Sequence, residues 1–169
     1  MIESRFTPQA AVFKGVFTLL LGIDIGATKV ALALGDRDGG IHARRRRPTA
    51  PSGSPERDIE ALVTDARALL AEAGVAATAL ECVGVCAPGP IDPAGGRVLG
   101  PPNLPGWDDV PIVAELSRAL GCAVHLENDA NAAALAEWRH GAGRGHHVLD
   151  QAVRRKTWIG WRCSSKRLR

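Results

Sequence analysis

Apolar positions in residues 17–40, FTLLLGIDIGATKVALALGDRDGG, fall in two short runs separated by a small-residue step at Gly26 and closed by a DG/GG turn. Continuous apolar runs of this length, bounded by turn residues, predict two buried strands joined as a hairpin. The next stretch, IHARRRRPTA (41–50), predicts a third strand with a solvated outer face. Its consecutive arginines suit an exposed sheet edge, where charge discourages unwanted pairing, better than a nucleic-acid site.

Helical spacing then takes over. In SPERDIEALVTDARALLAEAG (54–74), Ile59, Leu62, Val63, Ala66, Leu69 and Leu70 recur on one face, Ser52 or Ser54 offers a cap, and Gly74 stops the helix. LECVGVCAPGPID (80–92) predicts a buried strand entering a Pro- and Gly-rich loop that continues through PPNLPGW (101–107). VPIVAELSRALG (110–121) predicts a helix, CAVHLEN (122–128) a strand, and DANAAALAEWRHGAG (129–143) a third helix. The order β-β-β-α-β-α-β-α predicts an α/β chain, a mixed sheet with helices packed on it.

At 169 residues and 46% hydrophobic content the chain is long enough for one domain, or for one lobe of something larger. The net charge of +3 is unevenly placed. Residues 151–169 carry seven Lys or Arg and no acid, so residues 1–150 hold 14 bases against 18 acids. The body is mildly acidic, and no basic partner surface follows for it. GVFTLLLGI (15–23) resembles a signal segment, but it is short and passes directly into Asp24. It is expected to be the first core strand of a cytoplasmic protein without a membrane partner, preceded by a poorly ordered leader over residues 1–16. Cys82, Cys86, Cys122 and Cys163 are scattered; the first two fall in an apolar strand, where Cys acts as a small hydrophobe. No metal-ligand cluster is visible.

Chemistry concentrates at the predicted strand ends. In GIDIGATK (22–29), Asp24 is followed by Gly26, Thr28 and Lys29. Backbone N–H groups of such a turn can cradle phosphate oxygens, Thr28 can add a hydroxyl, Lys29 a point charge, and Asp24 can hold Mg²⁺ through water. An ordinary hairpin turn explains the same residues. In APGPID (87–92), Gly89 between two prolines lets backbone approach a ligand closely, or simply connects two elements. In PNLPGW (102–107), Asn103 could hydrogen-bond a polyol, while Trp107 either walls a pocket or, as favoured here, packs on the core. LENDANAAALAE (126–137) sets Glu127, Asn128 and Asp129 between a strand and an Ala-rich helix. A cap needs only one such residue, and the carboxyl ends of strands are where open α/β sheets bind ligands.

Taken in order and spacing, GIDIGATK, VGVCAPGPID, PNLPGW and LENDANAAALAEW resemble the N-terminal half of the ROK family over residues 18–145. That family contains bacterial glucokinases, other sugar kinases and sugar-responsive repressors. The resemblance implies the N-terminal lobe of an actin-like ATPase (ribonuclease H-like) fold. It implies Asp129 as the general base toward a sugar hydroxyl and Asn128, Gly89 and Asn103 as sugar contacts. Asp24, Gly26, Thr28 and Lys29 match its first phosphate turn, with Ala27 where a Gly is common. The implied partners are ATP with Mg²⁺ and a hexose, glucose first, with nucleic acid not expected. A family homo-oligomer is possible, though this stretch does not support one. About 17 residues precede the first strand, too few for the repressors' helix-turn-helix module, so a kinase is expected.

The resemblance stops near Gly145. The expected domain layout is a leader (1–16), the N-terminal lobe (17–145) and a basic tail unlike the family (146–169). The second lobe would be missing, with its further phosphate turn and zinc motif; no structural zinc is expected. In the tail, His146, His147 and Cys163 are too irregularly spaced for zinc. Its interleaved Arg and Trp allow a nucleic-acid reading. A frameshift fits better, since back-translation shifted at Lys156 yields an amphipathic helix. A chain so constituted is expected to turn over little or no substrate, and the alternative is a non-catalytic sugar-binding or regulatory remnant.

Overall fold

The computed structural model describes residues 18–144, so the expected leader and the tail readings, including His146, His147 and Cys163, lie outside the described residues. Three strands open the fold, β1 (Leu19–Ile25), β2 (Lys29–Asp36) and β3 (Ile41–Pro48). They are followed by α1 (Pro55–Glu72) and β4 (Leu80–Ala87). A two-strand flap absent from the sequence reading comes next, β5 (Ile91–Asp92) and β6 (Arg97–Val98). The chain then forms α2 (Ile112–Leu120), β7 (Ala123–Asn128) and α3 (Asp129–His140). The main sheet has the order β3-β2-β1-β4-β7. Antiparallel pairing joins β1 to β2 and β2 to β3, whereas β1–β4 and β4–β7 are parallel. The α/β mixed sheet expected from the hydrophobic pattern is thus present.

Alternation decides which face is core. Leu19, Leu21, Ile23 and Ile25 of β1 are all at most 3% exposed, and their partners Val30, Leu32 and Leu34 share that face. Helix α1 covers it with the six apolar residues the periodicity picks out, each buried. At roughly 1.5–3 kcal/mol per fully buried large aliphatic side chain, that stripe fixes α1 firmly. Ser54 is its N-cap, with Ser52 Oγ in turn accepting the Ser54 N–H at 3.1 Å. Helix α3 has no buried residue, so hydrogen bonds at its ends count for more in holding it.

Edge strand β3 corrects the picture of a simply solvated arginine run. Register puts Arg45 and Arg47 opposite Leu32 and Val30, on the α1 side, where both bond Asp65, at 3.1 and 2.5 Å. Arg44 and Arg46 lie opposite Ala33 and Ala31 on the other face and are exposed. Trp107 packs on the core at 1% exposure, and its indole N–H donates to Asp58 Oδ2 at 3.0 Å. Burial pushes the Asp58 carboxyl up, but bonds from Trp107 and Ser52 outweigh this and leave its pKa below the usual value. Among the described residues no helix is long and apolar enough to cross a membrane.

Candidate functional site

Parallel pairing of β1, β4 and β7 brings their carboxyl ends to one edge. In that register Asp24 lies opposite Cys86 and Cys86 opposite Glu127, so a row of polar groups crosses the sheet face away from α1. Neighbouring strands stand about 4.8 Å apart, which puts the two carboxylate-bearing residues roughly 10 Å from each other with Cys86 between them. Burial first, then the charges of Asp24, Glu127 and Asp129, pushes the Cys86 thiol up to about 11. The acidic groups of β1, β7 and α3 therefore converge around a thiol that stays protonated at neutral pH. Cys86 is half-buried in polar company, unlike the plain buried hydrophobe expected; Cys82 is buried.

The head of α3 resolves which residue caps it. Asn128 is the N-cap, its Oδ1 accepting the N–H groups of Ala130 at 3.1 Å and Asn131 at 3.4 Å. That role uses the oxygen end of the amide and leaves the Asn128 Nδ2 facing the β4–β5 loop. A Cβ built on Gly89 would stand 3.7 Å from that Nδ2, so Asn128 and Gly89 are neighbours at this edge. Asp129 begins the helix, exposed, with Oδ1 accepting the Ala130 N–H at 2.8 Å. The bond and the helix N-terminus together hold that carboxyl group in a fixed orientation.

The β1–β2 turn is compact. Gly26 N–H donates to the Lys29 carbonyl at 2.9 Å, and a Cβ on Gly26 would come within 3.0 Å of that oxygen. Ala27, Thr28 and Lys29 are exposed beyond it, while Asp24 is half-buried at its base. The donor set suits an anion with a hydrated divalent cation, since it offers turn amides, a hydroxyl, an ammonium and a carboxylate. Among the described residues no group of three or more His, Cys, Asp or Glu could hold a metal ion directly.

Asn103 is half-buried in the loop beside Leu104, on the stretch whose Trp107 and Leu104 enter the core. A shallow hollow lined by Ile25, Thr49, Asp58 and Trp107 lies beneath that loop, on the α1 side of the sheet and apart from the carboxylate row.

Glu127, Asn131 and Thr49 also hold this edge together. Glu127 Oε1 accepts the backbone N–H of Asn128 and the side-chain amide of Asn131, bracing the helix entry. Thr49 bonds the β1–β2 turn from the end of β3. The polar triplet had signalled Glu127, but Asn131 and Thr49 become visible only once helix phase and hairpin register are known.

A five-stranded sheet of this order, with helices α1 and α2 on one face and ligand-type residues at the carboxyl edge, is the actin-like ATPase fold. The model of the ROK family matches residues 20–150, five residues past the end of the motif resemblance at 145, and the chain belongs to that family. It is 37% identical over 131 residues to a glucokinase of Thermotoga maritima, covering 77% of this chain and 40% of that protein. Among solved structures, a ROK hexokinase from Thermus thermophilus is 41% identical at a TM-score of 0.67, over 76% of this chain and 41% of its own. A ROK glucokinase from Streptomyces griseus, in complex with glucose and AMPPNP, is 35% identical at a TM-score of 0.67, over 76% and 38%. The chain therefore spans about two fifths of the length of these relatives.

Proposed function

We propose that this chain supplies the acceptor-activating lobe of an ATP-dependent hexose kinase, with glucose as the hexose. The observation that carries the reading is the division of labour at the head of α3. Asn128 satisfies the helix and turns its amide nitrogen toward Gly89, which leaves the adjacent Asp129 as an exposed, oriented carboxylate. A sugar hydroxyl is a weak nucleophile, and phosphoryl transfer depends on positioning and charge stabilisation, so one aligned base suffices.

In this reading the acceptor hydroxyl hydrogen-bonds Asp129 while Asn128 Nδ2, Gly89 and Asn103 hold neighbouring hydroxyls. The proton passes to the Asp129 carboxylate as the oxygen bonds the γ-phosphorus and the bond to the departing ADP oxygen breaks. Gly26, Thr28 and Lys29 would hold the phosphates, and Asp24 would orient the water shell of Mg²⁺, which neutralises the charge developing on the phosphates. Closure onto a second lobe aligns donor with acceptor in a two-lobed kinase. The 169-residue chain alone is accordingly proposed to bind hexose and to turn over little.

Calorimetry with glucose in the absence of ATP tests the reading. Heat of binding that falls at least about tenfold in affinity in Asp129→Ala, the order of losing a charge-assisted hydrogen bond, supports it. Binding that Asp129→Ala leaves unchanged favours a sugar-binding remnant without a catalytic base, and absence of binding rejects the hexose site.

A further inference from the structure

The β1–β2 turn is held from outside by a residue that none of the motifs contains. Thr49 lies just past β3, opposite the turn, and makes two bonds to it. Its hydroxyl donates to the Gly26 carbonyl at 2.7 Å, and its backbone N–H donates to the Thr28 carbonyl at 3.0 Å. Because a trans peptide is planar, its C=O and N–H point in opposite directions. Pinning the Gly26 carbonyl toward Thr49 therefore turns the Ala27 N–H away from Thr49. Pinning the Thr28 carbonyl fixes the following peptide in the same manner.

Thr49 is itself firmly placed. Arg47, two residues earlier, bonds Asp65 of α1 at 2.5 Å. Three residues later the Ser52 N–H donates to Asp58 of α1 at 2.9 Å, and Ser54 caps that helix. The hydroxyl is thus carried on a short segment anchored at both ends to the most deeply packed helix of the fold. A donor group preset in this way needs no reordering when an anion arrives.

We propose that Thr49 is a positioning residue for phosphate binding: its side chain presets the Gly26–Ala27 peptide so that the Ala27 N–H faces a bound phosphate. The assignment rests on the reading of Gly26–Lys29 as a phosphate turn. Thr49 touches no phosphate itself and acts through the turn.

The test is an NMR titration of the ¹⁵N-labelled chain with Mg²⁺·AMPPNP, following the Gly26 and Ala27 amides, on wild type, Thr49→Ser and Thr49→Val. Valine is nearly isosteric, suits the end of a strand and keeps the backbone bond to Thr28, so only the hydroxyl is lost. Expected are shifts of both amides in wild type, affinity within about twofold in Thr49→Ser, and affinity about tenfold weaker in Thr49→Val, the scale of one hydrogen bond. Thermal unfolding run alongside separates positioning from stability. A Thr49→Val protein that melts earlier yet binds as wild type overturns the Thr49 assignment alone. Unresponsive turn amides in wild type overturn the phosphate turn and the Thr49 assignment together.

Discussion

Glu127 and Asn131 are joined across the first turn of α3, the Asn131 Nδ2 donating to Glu127 Oε1 at 3.0 Å. The same oxygen takes the Asn128 N–H at 2.8 Å, so the end of β7 and the head of α3 are held as one piece. Because α3 buries no residue, these polar bonds weigh heavily in its placement. Glu127→Ala should cost about 1.5–3 kcal/mol of stability, the range for losing hydrogen bonds to a carboxylate. It should also weaken glucose binding, because Asp129 sits on the loosened turn. Denaturant unfolding and calorimetry read the two effects, and an unchanged midpoint with unchanged heat counts against the brace.

Trp107 and Asp58 make the corresponding link between the 101–107 loop and α1. Trp107→Phe keeps most of the ring but deletes the donor, and should cost about 1–3 kcal/mol because a part-buried acceptor loses its partner. Asp58 has its folded pKa below the usual 3.8. It therefore contributes stability above that ordinary value, and this contribution is lost as pH falls through the lowered one. Trp107→Phe should accordingly flatten the acid limb of the stability–pH curve. A mutant curve parallel to wild type down to pH 2 would show that the bond contributes nothing there.

Cys86 has the opposite dependence. Its folded pKa stands at about 11 against an ordinary 9.0, so the native state keeps the thiol proton after the unfolded chain has lost it. The stability from this group is complete below pH 9 and declines as pH rises from there to about 11. Alkylation should follow, since the thiolate is the reactive form. Mass spectrometry of the Cys86 peptide after iodoacetamide treatment should show slow modification at pH 8 and a steep rise toward pH 11. Fast labelling of folded protein at pH 7 would contradict the acidic surroundings described for Cys86.

Most of the fold was legible because single periodicities settled it. The α1 stripe from Ile59 to Leu70 had only one face to bury, and the alternation in β1 and β2 could be satisfied only by a sheet with one covered side. The β5–β6 flap was not, because two-residue strands around Asp92 and Gly95 give no pattern distinct from a turn. At the site, the sequence set Glu127, Asn128 and Asp129 before the helix without showing which of them caps it. The choice depends on the backbone angles at the strand–helix junction, where Asn128 is still extended and Asp129 already helical. Thr49 was hidden for another reason. Its role is a matter of hairpin register, which sets it against Thr28 across 21 residues of chain.

A crystal structure of the chain soaked with glucose tests the central claim most directly. The account predicts one sugar hydroxyl within about 2.6–3.2 Å of an Asp129 carboxylate oxygen, the reach a general base requires. It predicts a neighbouring hydroxyl on Asn128 Nδ2, with the sugar ring against Gly89. Glucose bound elsewhere, or seated at this edge with no hydroxyl in contact with Asp129, would contradict it.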